Sequence, residues 1–302
     1  MRSIASIDDV GAALDSAGYL SEEGLSTITY LAIAMGRPLL LEGEPGAGKT
    51  ALAESLAGGL GVPLIRLQCY EGIDASQALY DWDFTKQILH LRALEAAAVT
   101  GRDGPGGEAA AGIGEIETSL FDERFLLARP ILRSLREGPC VLLIDEIDRA
   151  DDEFEAFLLE VLSTNQVSIP ELGTIRAEVA PIVVMTSNCT RELHDALKRR
   201  CLYHWIDHPG LEREVAIVRR RLPGVSERLA RRLAGAVQTL RADERLVKPP
   251  GVAETLDWAA ALAHLGRAEL DLATAAATVG AVCKHRGDVE VVRASLDRLL
   301  RN

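Results

Sequence analysis

Short, mostly apolar runs alternate with helix-like segments along the first two thirds of the chain. After the first run, Leu52, Leu56 and Leu60 recur every fourth residue, which predicts a helix with one buried stripe. Apolar runs of this length, each bounded by glycine, proline or charge and joined through helices, predict a parallel α/β sheet. The five predicted strands are residues 38–42, 63–68, 141–145, 181–186 and 202–206.

The pattern changes after residue 208. Strand signals stop, and amphipathic helical segments separated by Pro-Gly, Lys-Pro-Pro-Gly or Gly follow. We therefore expect an α/β core over residues 1–208 and a small all-helical domain over residues 209–302. Within the core, the glycine-rich residues 101–114 follow a helical pattern and predict a flexible loop. We assign residues 72–118 to a helical and loop insertion between the second and third strands.

Composition narrows the classes of function. The 302 residues carry a net charge of −12, which disfavours nonspecific binding to nucleic acid or anionic membranes, although a local basic pore in an assembly stays open. No apolar run reaches the roughly 18 residues of a membrane span, and the N-terminus lacks a secretory h-region. The five cysteines form no CxxC pair, so we expect five inert thiols and a cytoplasmic location.

The strongest motif is GEPGAGKT at residues 43–50, which matches the Walker A pattern between a predicted strand and a predicted helix. Backbone N–H groups and the helix N-terminus would hold phosphates, Lys49 would add a positive charge, and the Thr50 hydroxyl would ligate Mg²⁺. A chance glycine-rich turn would not need Lys and Thr at these places. The residues expected to bind nucleotide are Gly43, Glu44, Pro45, Gly46, Ala47, Gly48, Lys49, Thr50 and Ala51.

Two later strands end in polar residues suited to nucleotide hydrolysis. The run VLLI leads into Asp145 and Glu146, the Walker B form, in which Asp145 would bind Mg²⁺ through water and Glu146 would polarise the attacking water. The strand IVVMTS precedes Asn188, whose amide could orient that water. The plainer interpretations are a charged turn for the first pair and a turn-forming asparagine for the second.

Arg199 and Arg200 end a predicted helix just before the last strand. In an isolated chain they would be a basic helix end that favours the macrodipole. In a ring, one of them, with Arg200 preferred, would reach the neighbour's site as an arginine finger.

These four motifs, in this order and with a helical lid, resemble the AAA+ ATPases over residues 1–302. LLLEGEPGAGKT, LLIDEIDRAD and FLLEVLSTNQVSIPELGTIRAEVAPIVVMTSN look most like the MoxR group, and LVKPPGVAETLDWAAAL is similar to CoxD-like members. The resemblance implies a P-loop NTPase core with a five-stranded parallel sheet and a C-terminal helical lid. It also implies a hexameric ring with ATP and Mg²⁺ between subunits, and a β-hairpin insertion at residues 165–180 facing the pore.

The same resemblance implies a chaperone that remodels a client during metal-centre assembly, such as a molybdenum hydroxylase, with a von Willebrand factor A domain partner.

One departure concerns the lid, where the arginine usual in MoxR relatives falls on Pro250. Either Lys248 substitutes for it or the lid senses nucleotide differently. Tyr19 and Leu20 are the expected adenine contacts. Alternatively, Tyr19 is only a hydrophobic staple residue at the start of the next helix.

Two other functions remain open at this stage. A DNA-acting AAA+ motor, of the clamp-loader or branch-migration type, shares the ending RRC at residues 199–201. The acidic charge and the lack of a DNA-binding module argue against it. A nucleotide-gated binding subunit with slow hydrolysis is favoured by the missing lid arginine.

Overall fold

The computed structural model describes residues 4–100 and 120–300. The glycine-rich segment 101–114, for which the sequence predicts a flexible loop, lies outside the described residues. The described strands are β1 Leu39–Gly43, β2 Leu64–Gln68, β3 Tyr80–Trp82, β4 Leu126–Ala128, β5 Val141–Asp145, β6 Gln166–Ile169, β7 Gly173–Arg176, β8 Ile182–Ser187 and β9 Leu202–Ile206. The described α-helices are α1 Ile7–Ser16, α2 Glu23–Met35, α3 Lys49–Leu60, α4 Ala75–Leu79, α5 Phe84–Thr100, α6 Pro130–Arg136, α7 Asp152–Thr164, α8 Asp195–Arg200, α9 Leu211–Arg221, α10 Glu227–Arg241, α11 Val252–His264, α12 Leu272–Val282 and α13 Arg286–Leu299.

Five parallel strands form the central sheet in the order β2-β5-β8-β1-β9, which confirms the predicted α/β fold class. Strands β1 and β5 are buried along their whole length, as apolar runs covered by helices on both faces require. Because the strands are parallel, the carboxyl ends of β1, β5 and β8 lie together at one edge of the sheet. In this α/β arrangement that edge is where ligands bind.

Two short antiparallel pairs lie outside the central sheet. Strands β3 and β4 pair across the insertion. They were not predicted, because three residues are too few to show an alternating pattern. Strands β6 and β7 form a hairpin in which Val167 faces Ile175 and Gly173 has a positive φ. The insertion predicted at residues 165–180 thus contains an antiparallel hairpin.

Helices α9 to α13 pack around an apolar core of their own, which includes Val218, Leu233 and Trp258. We call these helices, with their connecting loops, the C-terminal bundle. A buried ion pair stabilises it: Arg241 donates two hydrogen bonds to Glu214, which also accepts one from Thr255. Within the described residues, no helix has the length and apolar character needed to cross a membrane.

Candidate active site

The loop from Gly43 to Gly48, which we call the phosphate loop, connects β1 to α3 in a conformation that requires glycine. A Cβ at Gly43 would lie 2.3 Å from the carbonyl oxygen of Ile206 on β9, and Gly48 has a φ of 100°. Lys49, the first residue of α3, is buried, and its Nζ donates to the carbonyl oxygens of Gly43 (2.7 Å) and Glu44 (2.9 Å). Burial lowers the pKa of Lys49, since desolvation disfavours its charged form.

Asp145, at the carboxyl end of β5, lies directly opposite the start of α3. Its Oδ1 accepts hydrogen bonds from the Thr50 hydroxyl at 3.0 Å and from the Thr186 hydroxyl at 2.5 Å. Its Oδ2 forms a 2.5 Å ion pair with Arg66 of β2. A carboxylate and a hydroxyl in contact at the end of a buried strand are the hard oxygen donors that Mg²⁺ prefers, so these residues fit that ion.

Glu146 turns the chain away from the sheet. It has a φ of 56°, and its backbone N–H donates to the Thr186 hydroxyl at 2.9 Å. Its carboxylate accepts a 3.1 Å hydrogen bond from the side-chain amide of Gln68 and forms a 2.8 Å ion pair with Arg149. Both neighbours contact Oε2, so they orient the carboxylate without occupying Oε1.

Asn188 follows β8 and is positioned through its backbone by the buried carboxylate of Asp148. The Asp148 Oδ2 accepts from the N–H of Asn188 at 3.2 Å and from the N–H and hydroxyl of Thr190 at 2.9 and 2.6 Å. Burial raises the pKa of Asp148, but these hydrogen bonds more than offset it and leave the pKa below its usual value. Asp148 thus stays ionised and holds the 188–190 segment beside the end of β5.

These groups open onto one cavity of about 640 Å³ between the sheet and the C-terminal bundle. Its phosphate-loop side contains Lys49, Thr50, Asp145, Glu146 and Asn188. The residues predicted to bind nucleotide, from Pro45 to Ala51, line the same cavity, while Gly43 and Glu44 meet the Lys49 ammonium through their carbonyls.

The opposite side of the cavity is mostly apolar and includes both Tyr19 and Leu20, the two predicted adenine contacts. Ile217 of α9 and Leu256 of α11 face the cavity as well. Burial raises the pKa of Tyr19 to about 12, so its hydroxyl stays neutral. Arg213 of α9 donates a 2.7 Å hydrogen bond to the carbonyl of Leu20, which attaches the C-terminal bundle to this wall. A planar base fits such a surface.

The bundle also contacts the phosphate loop directly. The N–H of Val252 donates to the carbonyl of Gly46 at 3.1 Å, and Gly251 packs on Pro45 and Gly46. Lys248, three residues earlier, is exposed and is not among the cavity-lining residues. Its backbone N–H is instead bound to Asp288 at 2.9 Å. The C-terminal bundle therefore contacts the phosphate loop here through its backbone and not through a cationic side chain.

Arg199 and Arg200 lie outside the cavity of their own chain. Arg200 donates to the Leu159 carbonyl and the Ser163 hydroxyl of α7. Arg37, just before β1, binds the carbonyls of residues 199 to 201 at 2.7 to 3.2 Å and so caps the end of α8. Both arginines are exposed at the end of α8, which Arg37 holds in place. Neither arginine contacts the site of its own chain in this structure.

No sequence motif marks five residues that contact the predicted site residues: Arg66, Gln68, Asp148, Arg149 and Thr186. The available signal was in β2, where Arg66 and Gln68 are polar residues on one face of a strand that is otherwise apolar. Among the cysteines, Cys189 differs from the expected small buried thiol: it is exposed and has a φ of 57°, whereas the other four are buried.

A known protein family matches the core of the chain. Residues 38–201, more than half of the chain, match the AAA domain family of the dynein-related subfamily. The chain is 28% identical over 177 residues to the uncharacterised protein YehL of Escherichia coli strain K12, covering 56% of this chain and 41% of YehL. The match therefore spans less than half of the length of that relative. A RuvB mutant from Thermotoga maritima aligns with a TM-score of 0.49 and 17% identity, covering 95% of this chain and 80% of that one.

Proposed function

The chain belongs to the dynein-related subfamily of AAA domains, and we propose that it hydrolyses ATP in a ring and uses that reaction to remodel a client protein. The observation that carries this proposal is the convergence of Lys49, Thr50, Asp145, Glu146 and Asn188 on one cavity that the C-terminal bundle closes. Nucleotide hydrolysis is the activity expected of the AAA family, and AAA+ proteins typically oligomerise.

The roles of the residues follow from their positions. Lys49 would exchange its two carbonyl partners for phosphate oxygens, and Thr50 with Asp145 would hold Mg²⁺, which neutralises phosphate charge when bound. Glu146 would take a proton from the attacking water, and Asn188 would orient that water. Tyr19 and Leu20 would contact the base. Arg200 does not reach the site of its own chain, and in a ring it would stabilise charge in the site of a neighbouring subunit.

The finer assignment rests on the MoxR-like motifs. We propose a chaperone of the MoxR group, closest to CoxD-like members, whose ring is a hexamer with a helical lid over residues 209–302 and a core over residues 1–208. The client would be a metalloenzyme such as a molybdenum hydroxylase, and the partner would carry a von Willebrand factor A domain. Five free thiols suit a reducing cytoplasm.

A substrate-trapping variant tests the proposal. In Glu146→Gln the base is lost while the phosphate loop is intact, so ATP should bind and persist. Affinity capture with this variant from its native cells should retain client proteins in ATP, and Lys49→Ala should retain none under the same conditions. Hydrolysis by Glu146→Gln at the wild-type rate would overturn the catalytic assignment. Enrichment of DNA-processing proteins would overturn the metal-centre role but leave the ATPase in place.

A further inference from the structure

Strand β2 is an edge strand whose outward face lies beside the two acidic residues at the end of β5. Residues 64, 66 and 68 share this face, while Ile65 and Leu67 point into the core. The parallel register pairs Gln68 with Asp145 and Arg66 with Leu143. Arg66 therefore lies beside the residue two positions before Asp145, and its side chain is long enough to reach the carboxylate.

The contact between these two residues differs from an ordinary surface ion pair. The Arg66 guanidinium lies 2.5 Å from Asp145 Oδ2, and the Asp145 side chain is only 4% exposed, whereas that of Arg66 is 50% exposed. The same guanidinium nitrogen also donates to Gln68 at 2.7 Å, which fixes its direction. By comparison, Arg129 and Asp81 are separated by 3.2 Å and both are about half exposed. Water therefore screens the second pair more strongly than the first, because only the first has a buried carboxylate.

The ion pair neutralises a carboxylate that the proposed function assigns to Mg²⁺. Both oxygens of Asp145 are engaged: Oδ1 accepts from Thr50 and Thr186, and Oδ2 pairs with Arg66. A divalent cation held next to Thr50 would share Asp145 with a fixed positive charge. Two cations that share one carboxylate weaken each other's binding, because they repel each other across it and the burial of Asp145 limits the screening by water.

We propose that Arg66 competes with Mg²⁺ for Asp145 and thereby sets the Mg²⁺ concentration at which the nucleotide site becomes loaded. This inference rests on the proposed function. Arg66 is a positioning residue: it holds the carboxylate in place before the ion arrives and yields it afterwards. Because coupling between two binding events is reciprocal, Mg²⁺ binding weakens the hold of Asp145 on Arg66 and so loosens β2 at its carboxyl end.

The test measures Mg²⁺ dependence of ADP binding, which needs no turnover. A fluorescent ADP analogue is titrated at a series of Mg²⁺ concentrations against the wild type, Arg66→Gln, Arg66→Lys and Arg129→Gln. Loss of the competing charge in Arg66→Gln should lower the half-saturating Mg²⁺ concentration by about tenfold. Arg66→Lys keeps the charge and should stay within about threefold of the wild type, as should the matched surface control Arg129→Gln.

Several outcomes separate the inference from the proposed function. An unchanged or higher Mg²⁺ requirement in Arg66→Gln, with unchanged ADP affinity in EDTA and an unchanged melting temperature, overturns the competition. In Asp145→Asn the effect of Arg66→Gln should disappear, and a full effect there would also contradict it. If the wild type binds ADP with no Mg²⁺ dependence, the metal role of Asp145 and the inference fail together, whereas nucleotide binding itself stands.

Discussion

The N–H of Val252, the first residue of α11, donates a hydrogen bond to the carbonyl of Gly46 in the phosphate loop. This bond links the C-terminal bundle to the loop that would hold phosphates, without any side chain. The adjacent Gly251 allows the contact, because its Cα faces that of Gly46 with no room for a Cβ. A movement of this loop around a nucleotide would thus also displace the start of α11.

Gly251→Ala is expected to weaken nucleotide binding by forcing this contact apart. The added Cβ would lie 2.9 Å from both the Gly46 Cα and the Pro45 carbonyl, while the φ of −90° suits alanine. The cost is therefore a clash between two segments and not backbone strain. We expect ADP affinity to fall about tenfold by isothermal titration, in line with overpacking costs of about 1–3 kcal/mol. Gly210→Ala, where a Cβ meets nothing within 4 Å, serves as the control and should bind ADP normally.

Arg241→Met should strongly destabilise the protein. Glu214 is completely buried and relies on Arg241 for charge compensation, so the variant leaves an unpaired buried carboxylate. Breaking such a pair from one side costs about 3–5 kcal/mol. Urea unfolding followed by circular dichroism should show this loss, and the exposed pair Arg231 with Glu212 offers the control. An Arg231→Met variant as unstable as Arg241→Met would contradict the role of burial.

His208 should make the protein less stable in mild acid. Burial, with Arg241 and Lys49 nearby, lowers the pKa of His208 to about 4 from an ordinary value of 6.5. A folded-state pKa below the unfolded one means that the unfolded chain binds the proton more readily, so stability falls as pH drops from 6.5 towards 4. The urea midpoint of His208→Asn should therefore change less between pH 7.5 and 5 than that of the wild type. Equal pH dependence of the two proteins would refute the assignment.

Mixing two inactive variants tests whether Arg200 acts between subunits. Lys49→Ala should lack a working site but keep its arginine, and Arg200→Ala should lack the arginine but keep its site. A finger that works on the neighbour predicts that each variant alone loses at least about tenfold in ATPase rate, and that the mixture recovers part of it. Arg199→Ala replaces Arg200→Ala in the control mixture. Absence of recovery in a mixture that forms mixed rings would contradict the action of Arg200 between subunits.

The sequence was most informative where structure is local. The five sheet strands were predicted to within one residue at each end, because each is a short apolar run with turn residues on both sides. The contact of Arg66 with Asp145 spans 79 residues, and strand register decides it, so no local pattern contained it. The bond from Val252 to Gly46 joins two backbone groups, so no side-chain motif marks it, although the contact needs glycine at position 251. The Pro250 position could predict only that an arginine was missing there.

Arg37 connects the helix end that carries the two exposed arginines to the strand that precedes the phosphate loop. Its guanidinium caps the three carbonyls at the end of α8, and two residues later the chain enters the strand that leads to the phosphate loop. The helix end with the exposed arginines and the phosphate loop are therefore both attached to the start of β1. A shift of β1 with the phosphate loop would therefore be transmitted through Arg37 to the helix end that carries Arg199 and Arg200.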